Sequence, residues 1–263
     1  MVIKAAGIVG GLSFLMGAIL ALASIKLAVE VDPLVEKILE VLPGSNCGAC
    51  GKPGCEGAAE AIAAGEASYD ACRAGGAEVA AEVARILGIE AKIEENKVVP
   101  AVHCGLNRSE VAKRGIYNGI EDCLIADQQT KGDLLCLYGC LGYGSCEKAC
   151  PFGAIKMDEN RLPVFDLEKC TRCGICVSTC PRGLIKFIPG GASLVLRCNS
   201  KDRGKEVLNV CKKGCIACGI CVKACPDGLS LVDNLVVIDY EKNPDCPQGV
   251  EKCPTKCLVK YQA

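Results

Sequence analysis

The residues able to do chemistry in this chain are its cysteines, and they recur in a fixed spacing. "CTRCGICVSTCP" sets thiols at 170, 173, 176 and 180, and "CIACGICVKACP" sets them at 215, 218, 221 and 225. Three soft sulfur ligands at intervals of three wrap one centre, while the fourth, carried away by a Cys-Pro turn, serves another. The chemistry this supports is one-electron transfer by iron–sulfur groups. The 263 residues include 23 Cys, one His and no Trp, so bound inorganic groups must stand in for much of an aromatic core. Disulfide scaffolds this rich in cysteine are normally shorter and lack regular triplets before Cys-Pro. The lone His103 excludes a Rieske centre, and no Cys-x-x-Cys-His exists for covalent haem. With 30 basic against 31 acidic residues and no basic stripe with interleaved aromatics, nucleic-acid binding is excluded as well.

The spacing is that of bacterial ferredoxins, in which the fourth cysteine of one run ligates the cluster of the other. Cys170, Cys173 and Cys176 are therefore expected to share a 4Fe-4S cluster with Cys150. The earlier run, "CLYGCLGYGSCEKACP", has Tyr143 where a middle ligand belongs. Cys136, one helical turn before Cys140, is the candidate replacement, giving Cys136, Cys140, Cys146 and Cys180. Cys215, Cys218 and Cys221 take Cys253 as their fourth ligand. The last run, "NPDCPQGVEKCP", aligns only if Asn243 and Gly249 stand at ligand positions, so the fourth ferredoxin site is degraded. Nearer the N-terminus, Cys47, Cys50, Cys55 and Cys72 can hold one more centre, with zinc as the alternative occupant. At least four clusters follow. Cys198, Cys211, Cys225 and Cys246 remain for an unusual fifth cluster or as buried thiols, and Cys104, Cys123 and Cys257 have no assignment from spacing.

Positioning these ligands requires an α+β chain. Residues 1–28 read as a transmembrane anchor helix, because Ala5 to Ile25 is uncharged over 21 residues. Its glycines and other small residues, Gly7, Gly11 and Ala18 beside Gly10, Ser13, Gly17 and Ala21, offer a strip for a membrane partner. A small α-rich 4Fe-4S domain at 29–100 follows. It opens with a helix capped by Asp32 and Pro33, contains further helices near 56–64 and 75–87, and closes on the strand "NKVVPAVHC". The phrases "CPFGAI", "CPRGLI", "CPDGLS" and "CPTKCL" then recur as two pairs. They predict two tandem ferredoxin-type modules, 130–192 and 205–263, after connectors at 101–129 and 193–204, with "LVLRCNSKDRGKEVLNVC" charged and exposed.

This order of parts, and above all "DPLVEKILEVLPGSNCGACGKPGC" and "GCLGYGSCEKACPFGAI", resembles the RnfB family, the B component of the Rnf complex, which is the membrane ferredoxin:NAD+ oxidoreductase of bacteria. The resemblance implies a single-pass protein of the inner membrane with its iron–sulfur domains on the cytoplasmic side. It implies reduced ferredoxin as electron donor, other subunits of the complex as partners, NAD+ reduction in those subunits, and coupling to Na+ or H+ transport. It also permits a role in reducing a redox-sensing regulator, while a zinc-thiolate interaction protein is the non-enzymatic alternative. No Gly-x-Gly-x-x-Gly follows a predicted strand, so no catalytic residue or dinucleotide site is assigned to this chain. Lys201, Arg203, Lys205, Lys212, Lys213 and Lys223 gather around the third run, as a docking patch for an acidic ferredoxin or as a solvated face balanced by Asp202 and Glu206.

Overall fold

The charge-poor N-terminal segment folds as α1 (Val2–Lys26), charged only at Lys4 and Lys26. The computed structural model describes residues 2–26, 32–91 and 98–261, and within α1 the side chains of 10, 11, 13–24 and 26. Gly7 of the small-residue strip thus lies outside the described side chains. Those of Phe14 and Leu22 are 81 % and 65 % exposed. Among the described residues no helix is long and apolar enough to cross a membrane.

α2 (Pro33–Val41) begins as its sequence dictates: the Asp32 carboxylate accepts the Leu34 amide at 2.8 Å and Pro33 fills the first turn. Its buried Val35 and Ile38 pack on the alanine-rich face of α3 (Gly54–Ala63) and on Val83 of α4 (Gly76–Leu87). Small side chains at Ala58 and Ala59 let these helices approach closely.

β1 (Val98–Val102) is followed by α5 (Cys123–Gln129), α6 (Ser145–Lys148), the hairpin of β2 (Ile155–Met157) and β3 (Pro163–Phe165), α7 (Ile175–Thr179) and β4 (Ile185–Pro189). The strand expected to close the N-terminal domain instead runs antiparallel to β4, with Val98 opposite Pro189 and Val102 opposite Ile185. Val99 to Val102 are all buried, which an outer strand of a small helical domain does not provide and the edge of β4 does. The first module therefore spans 98–189, and residues 101–129 form part of it rather than a connector.

The second module repeats the plan with β5 (Leu194–Leu196), α8 (Lys205–Val210), α9 (Ile220–Ala224), β6 (Leu229–Val232), β7 (Leu235–Ile238), α10 (Pro247–Glu251) and β8 (Leu258–Lys260). β5 pairs with β8 and β6 with β7. The β6–β7 turn is a two-residue loop with Asp233 and Asn234 both left-handed (φ 47° and 62°), the conformation a tight hairpin needs. The segment 193–204 is likewise no connector. Leu194, Val195, Leu196, Cys198 and Ser200 are buried, because the strand supplies the inner face that the lysines and arginine around it obscure in the sequence.

Candidate metal centres

Each intact run is shaped by left-handed residues between its thiols. Arg172 (φ 60°) and Gly174 (φ 85°) turn the chain between Cys170 and Cys176, and Ala217 (φ 55°) and Gly219 (φ 70°) do the same between Cys215 and Cys221. The glycine then starts a short helix, α7 or α9, whose first turn carries the third cysteine. In the irregular first run Gly144 (φ 72°) starts α6 and delivers Cys146 in the same way.

Cys150, Cys170, Cys173 and Cys176 line one pocket, the grouping expected from spacing. Cys215, Cys218, Cys221 and Cys253 line another, with Cys257 as a fifth thiol whose sulfur lies 3.7 Å from that of Cys253. Cys47, Cys50 and Cys55 surround Cys72 closely enough for their charges to act on it. There the Asn46 side chain accepts the Cys55 amide at 2.7 Å and fixes the start of α3.

Two expected groupings are redrawn. Cys140, Cys146 and Cys180 share their pocket with Cys123, not with Cys136. The Asp122 carboxylate caps α5 by accepting the Leu124 and Ile125 amides, and also accepts the Ser145 hydroxyl at 2.8 Å. Ser145 in turn accepts the Cys123 amide at 2.7 Å. This network holds Cys123 beside Cys146; the Asp-Cys helix start is its only signal in the sequence. Cys136 lies instead with Cys104, Cys198 and Cys211 around a separate pocket. The expected fifth set therefore divides, for Cys225 and Cys246 form a disulfide. Gly249 packs on Cys246, and Asn243 accepts the Ser193 amide and donates to the Gly191 carbonyl. Neither stands where a ligand is wanted.

Arg182 ties these parts together. Its guanidinium donates to Asp127 of α5 (2.9 Å) and to the carbonyls of Lys131 (2.7 Å), Cys136 (2.9 Å) and Gly139 (2.7 Å). Burial works against ionisation of Asp127, but Arg182 overrides it and holds the carboxyl below its usual range. His103 is a half-buried side chain, kept neutral by burial and by Lys186, with its pKa lowered to about 4.

Outside the N-terminal domain, the cysteines of each set line a pocket. Among the described residues no three His, Cys, Asp or Glu side chains close on a single ion, and a cubane asks for no such convergence, since each thiolate binds its own iron. Burial in apolar surroundings raises Cys146 and Cys221 to about 11 and Cys176 to about 12. Thiols held protonated in this way must release protons on binding metal. At the fifth-thiol site, hydrogen bonds from Cys257 favour the thiolate at Cys253 and Cys215, while Cys257 itself is pushed up.

Comparison with known families places the chain. The Fe-S cluster family matches residues 42–74, and two 4Fe-4S dicluster families match 138–185 and 169–229. The chain is 41 % identical, over 96 % of its length and 76 % of the relative's, to the B subunit of the Na+-translocating ferredoxin:NAD+ oxidoreductase complex of Acetobacterium woodii. It is 38 % identical to the B subunit of the ion-translocating oxidoreductase complex of Methanosarcina acetivorans, over 97 % of each chain. The chain belongs to this RnfB family. A third member, the B subunit of the proton-translocating ferredoxin:NAD+ oxidoreductase complex of Clostridium ljungdahlii, is 40 % identical over 94 % of this chain and 88 % of its own. This RnfB chain carries multiple 4Fe-4S groups, as its family matches require. The second dicluster match straddles the two modules that the strand pairing separates, because it follows the cysteine runs and not the sheets.

Proposed function

We propose that this chain is the electron-carrying iron–sulfur subunit of an ion-translocating membrane oxidoreductase. It receives electrons from reduced ferredoxin and passes them towards NAD+ held by partner subunits. Bound 4Fe-4S groups supply one-electron transfer. The chain's own residues set the spacing, burial and order of those groups, with Cys47/Cys50/Cys55/Cys72, Cys123/Cys140/Cys146/Cys180, Cys150/Cys170/Cys173/Cys176 and Cys215/Cys218/Cys221/Cys253 as the ligand sets. One observation carries the reading: the two sets of the first module adjoin, Cys146 lying close enough to act on Cys176, and the set of the second module reaches the surface at Cys218, the one exposed free cysteine among the described residues.

Cations flank the Cys218 run in the sequence, at Lys212, Lys213 and Lys223. Lys201 pairs with Asp233 at 3.7 Å, whereas Arg203, Lys205, Lys212 and Lys223 are exposed and make no ion pair among the described residues. Small ferredoxins tend to be acidic, so these cations can steer one towards Cys218. Reversing Lys212 and Lys213 to Glu is expected to slow reduction of the chain by reduced ferredoxin about tenfold at low salt. The difference should vanish near 1 M salt, where the Debye length is about 3 Å. Stopped-flow traces unaffected by the reversal at low ionic strength would move the docking site elsewhere.

α1 serves as a single-pass anchor in this reading, with the modules on the cytoplasmic side. Its 25 residues extend about 37 Å, against a bilayer core of about 30 Å, and the exposed Phe14 and Leu22 have no cover from the described protein. No cysteine precedes Cys47. A chain starting at Val31 should therefore be soluble and retain all its iron. Its recovery in the membrane fraction would remove α1 from the role of anchor.

A further inference from the structure

We infer that Cys104, Cys136, Cys198 and Cys211 bind a fifth 4Fe-4S group that bridges the two modules; this deepens the electron-carrying reading above and rests on it. The four thiols line one pocket, and Cys104 lies within electrostatic reach of the other three. Each module contributes a matched pair. The first strand of each ends two residues before a cysteine: β1 at Val102 before Cys104, and β5 at Leu196 before Cys198. Each cysteine run is preceded by another thiol in the phrase Cys-x-x-Gly-Cys, "CLYGC" from Cys136 and "CKKGC" from Cys211.

The backbone around the sulfurs repeats as faithfully. Cys136 faces the amides two and three residues on, those of Tyr138 and Gly139, and Cys211 faces those of Lys213 and Gly214. Cys104 accepts the Cys140 amide at 3.4 Å and faces that of Leu106. Its counterpart Cys198 accepts the Ser200 amide at 3.4 Å and faces that of Cys215. Each sulfur thus meets two backbone N–H groups. Such a cage stabilises thiolates that share the negative charge of a cluster. A side chain at Gly139 would place its Cβ 3.2 Å from Cys136 Sγ, so glycine keeps that approach open.

The quartet also completes the account of the thiols. Five sets of four take 20 of the 23 cysteines, and the other three are Cys257 and the Cys225–Cys246 disulfide. Its position is that of a link: Cys104 is bonded to the amide of Cys140, a ligand candidate of the first module, and Cys198 faces the amide of Cys215 in the second.

The test uses the full-length chain purified anaerobically, with iron, zinc and acid-labile sulfide measured beside quantified EPR of the reduced protein. The wild type should hold about twenty irons rather than about sixteen. Cys198→Ala and Cys211→Ala should each lose about four irons and one paramagnetic centre, leaving the other signals in place. Unchanged iron in both variants would overturn the inference. If neither variant folds, the wild-type count decides: about sixteen irons, or zinc in place of four of them, removes the site. A wild type with about twenty irons that takes no electrons from ferredoxin keeps the site and removes the proposed function. About sixteen irons with rapid uptake does the reverse.

Discussion

Replacing Cys173 with serine is expected to remove about four irons per chain, one whole cluster, and the corresponding EPR signal. Cys173 is the middle thiolate of an intact run and lines its pocket with Cys150, Cys170 and Cys176. No further cysteine lines that pocket, so serine leaves one iron without a soft ligand. The second module offers a built-in contrast. Cys257 lies 3.7 Å from Cys253, so serine at either one leaves a thiol able to complete the set, and each single variant should keep its iron. The double variant should lose about four. Equal losses from Cys173→Ser and Cys257→Ser would show that the two pockets do not differ in this way.

Arg182→Met is expected to destabilise the first module by about 3–5 kcal/mol, read as a lower denaturation midpoint under anaerobic conditions. The Arg182 side chain is only 5 % exposed and pairs with Asp127, itself 19 % exposed. Methionine removes one partner of a largely buried pair and leaves the carbonyls of Lys131, Cys136 and Gly139 without their donor. Arg182→Lys restores the charge opposite Asp127 but not the planar fork, and should recover only part of the loss. Since one clamped carbonyl belongs to Cys136 and another to Gly139, next to Cys140, the methionine variant should also load iron more slowly. A midpoint unchanged from wild type would show that the clamp holds nothing.

Much of this architecture is legible because cluster ligands must be close in sequence when they come from one turn. The runs from Cys170 and Cys215 can be read directly, as can the α2 start at Asp32-Pro33, where a cap and a fixed φ are local signals. The errors share one cause: they involve partners brought in by distant strands. β1 reads as the end of the N-terminal domain, since nothing within it says that Val98–Val102 pairs with 185–189. Helical spacing puts Cys136 with Cys140, but that stretch is an extended turn fixed by Arg182 and contains no helix. Cys123, 17 residues before Cys140 in sequence, reaches the pocket only through Ser145. "AVHC" and "VLRC", and "CLYGC" and "CKKGC", carry the remaining information as a repeat, visible once the strands at 98 and 194 are known to be equivalent.

The outer strands of each module have a kinetic consequence. β1 waits for β4 across about 80 residues, and β5 for β8 across about 60, so neither sheet closes until nearly its whole module has left the ribosome. Closing such loops costs entropy that grows with their length, and chains dominated by distant pairings fold slowly. In the proposed ligand sets, thiols that share a bound group would act as clips within those loops, Cys123 with Cys180 shortening the first and Cys215 with Cys253 the second. On those sets assembly would be ordered, with metal delivery preceding strand closure and the joining of the modules coming last, since Cys104 and Cys136 are made before Cys198 and Cys211. A cell short of iron would accumulate this chain with its sheets open and its apolar strand edges exposed, a target for proteolysis before it could reach its partners.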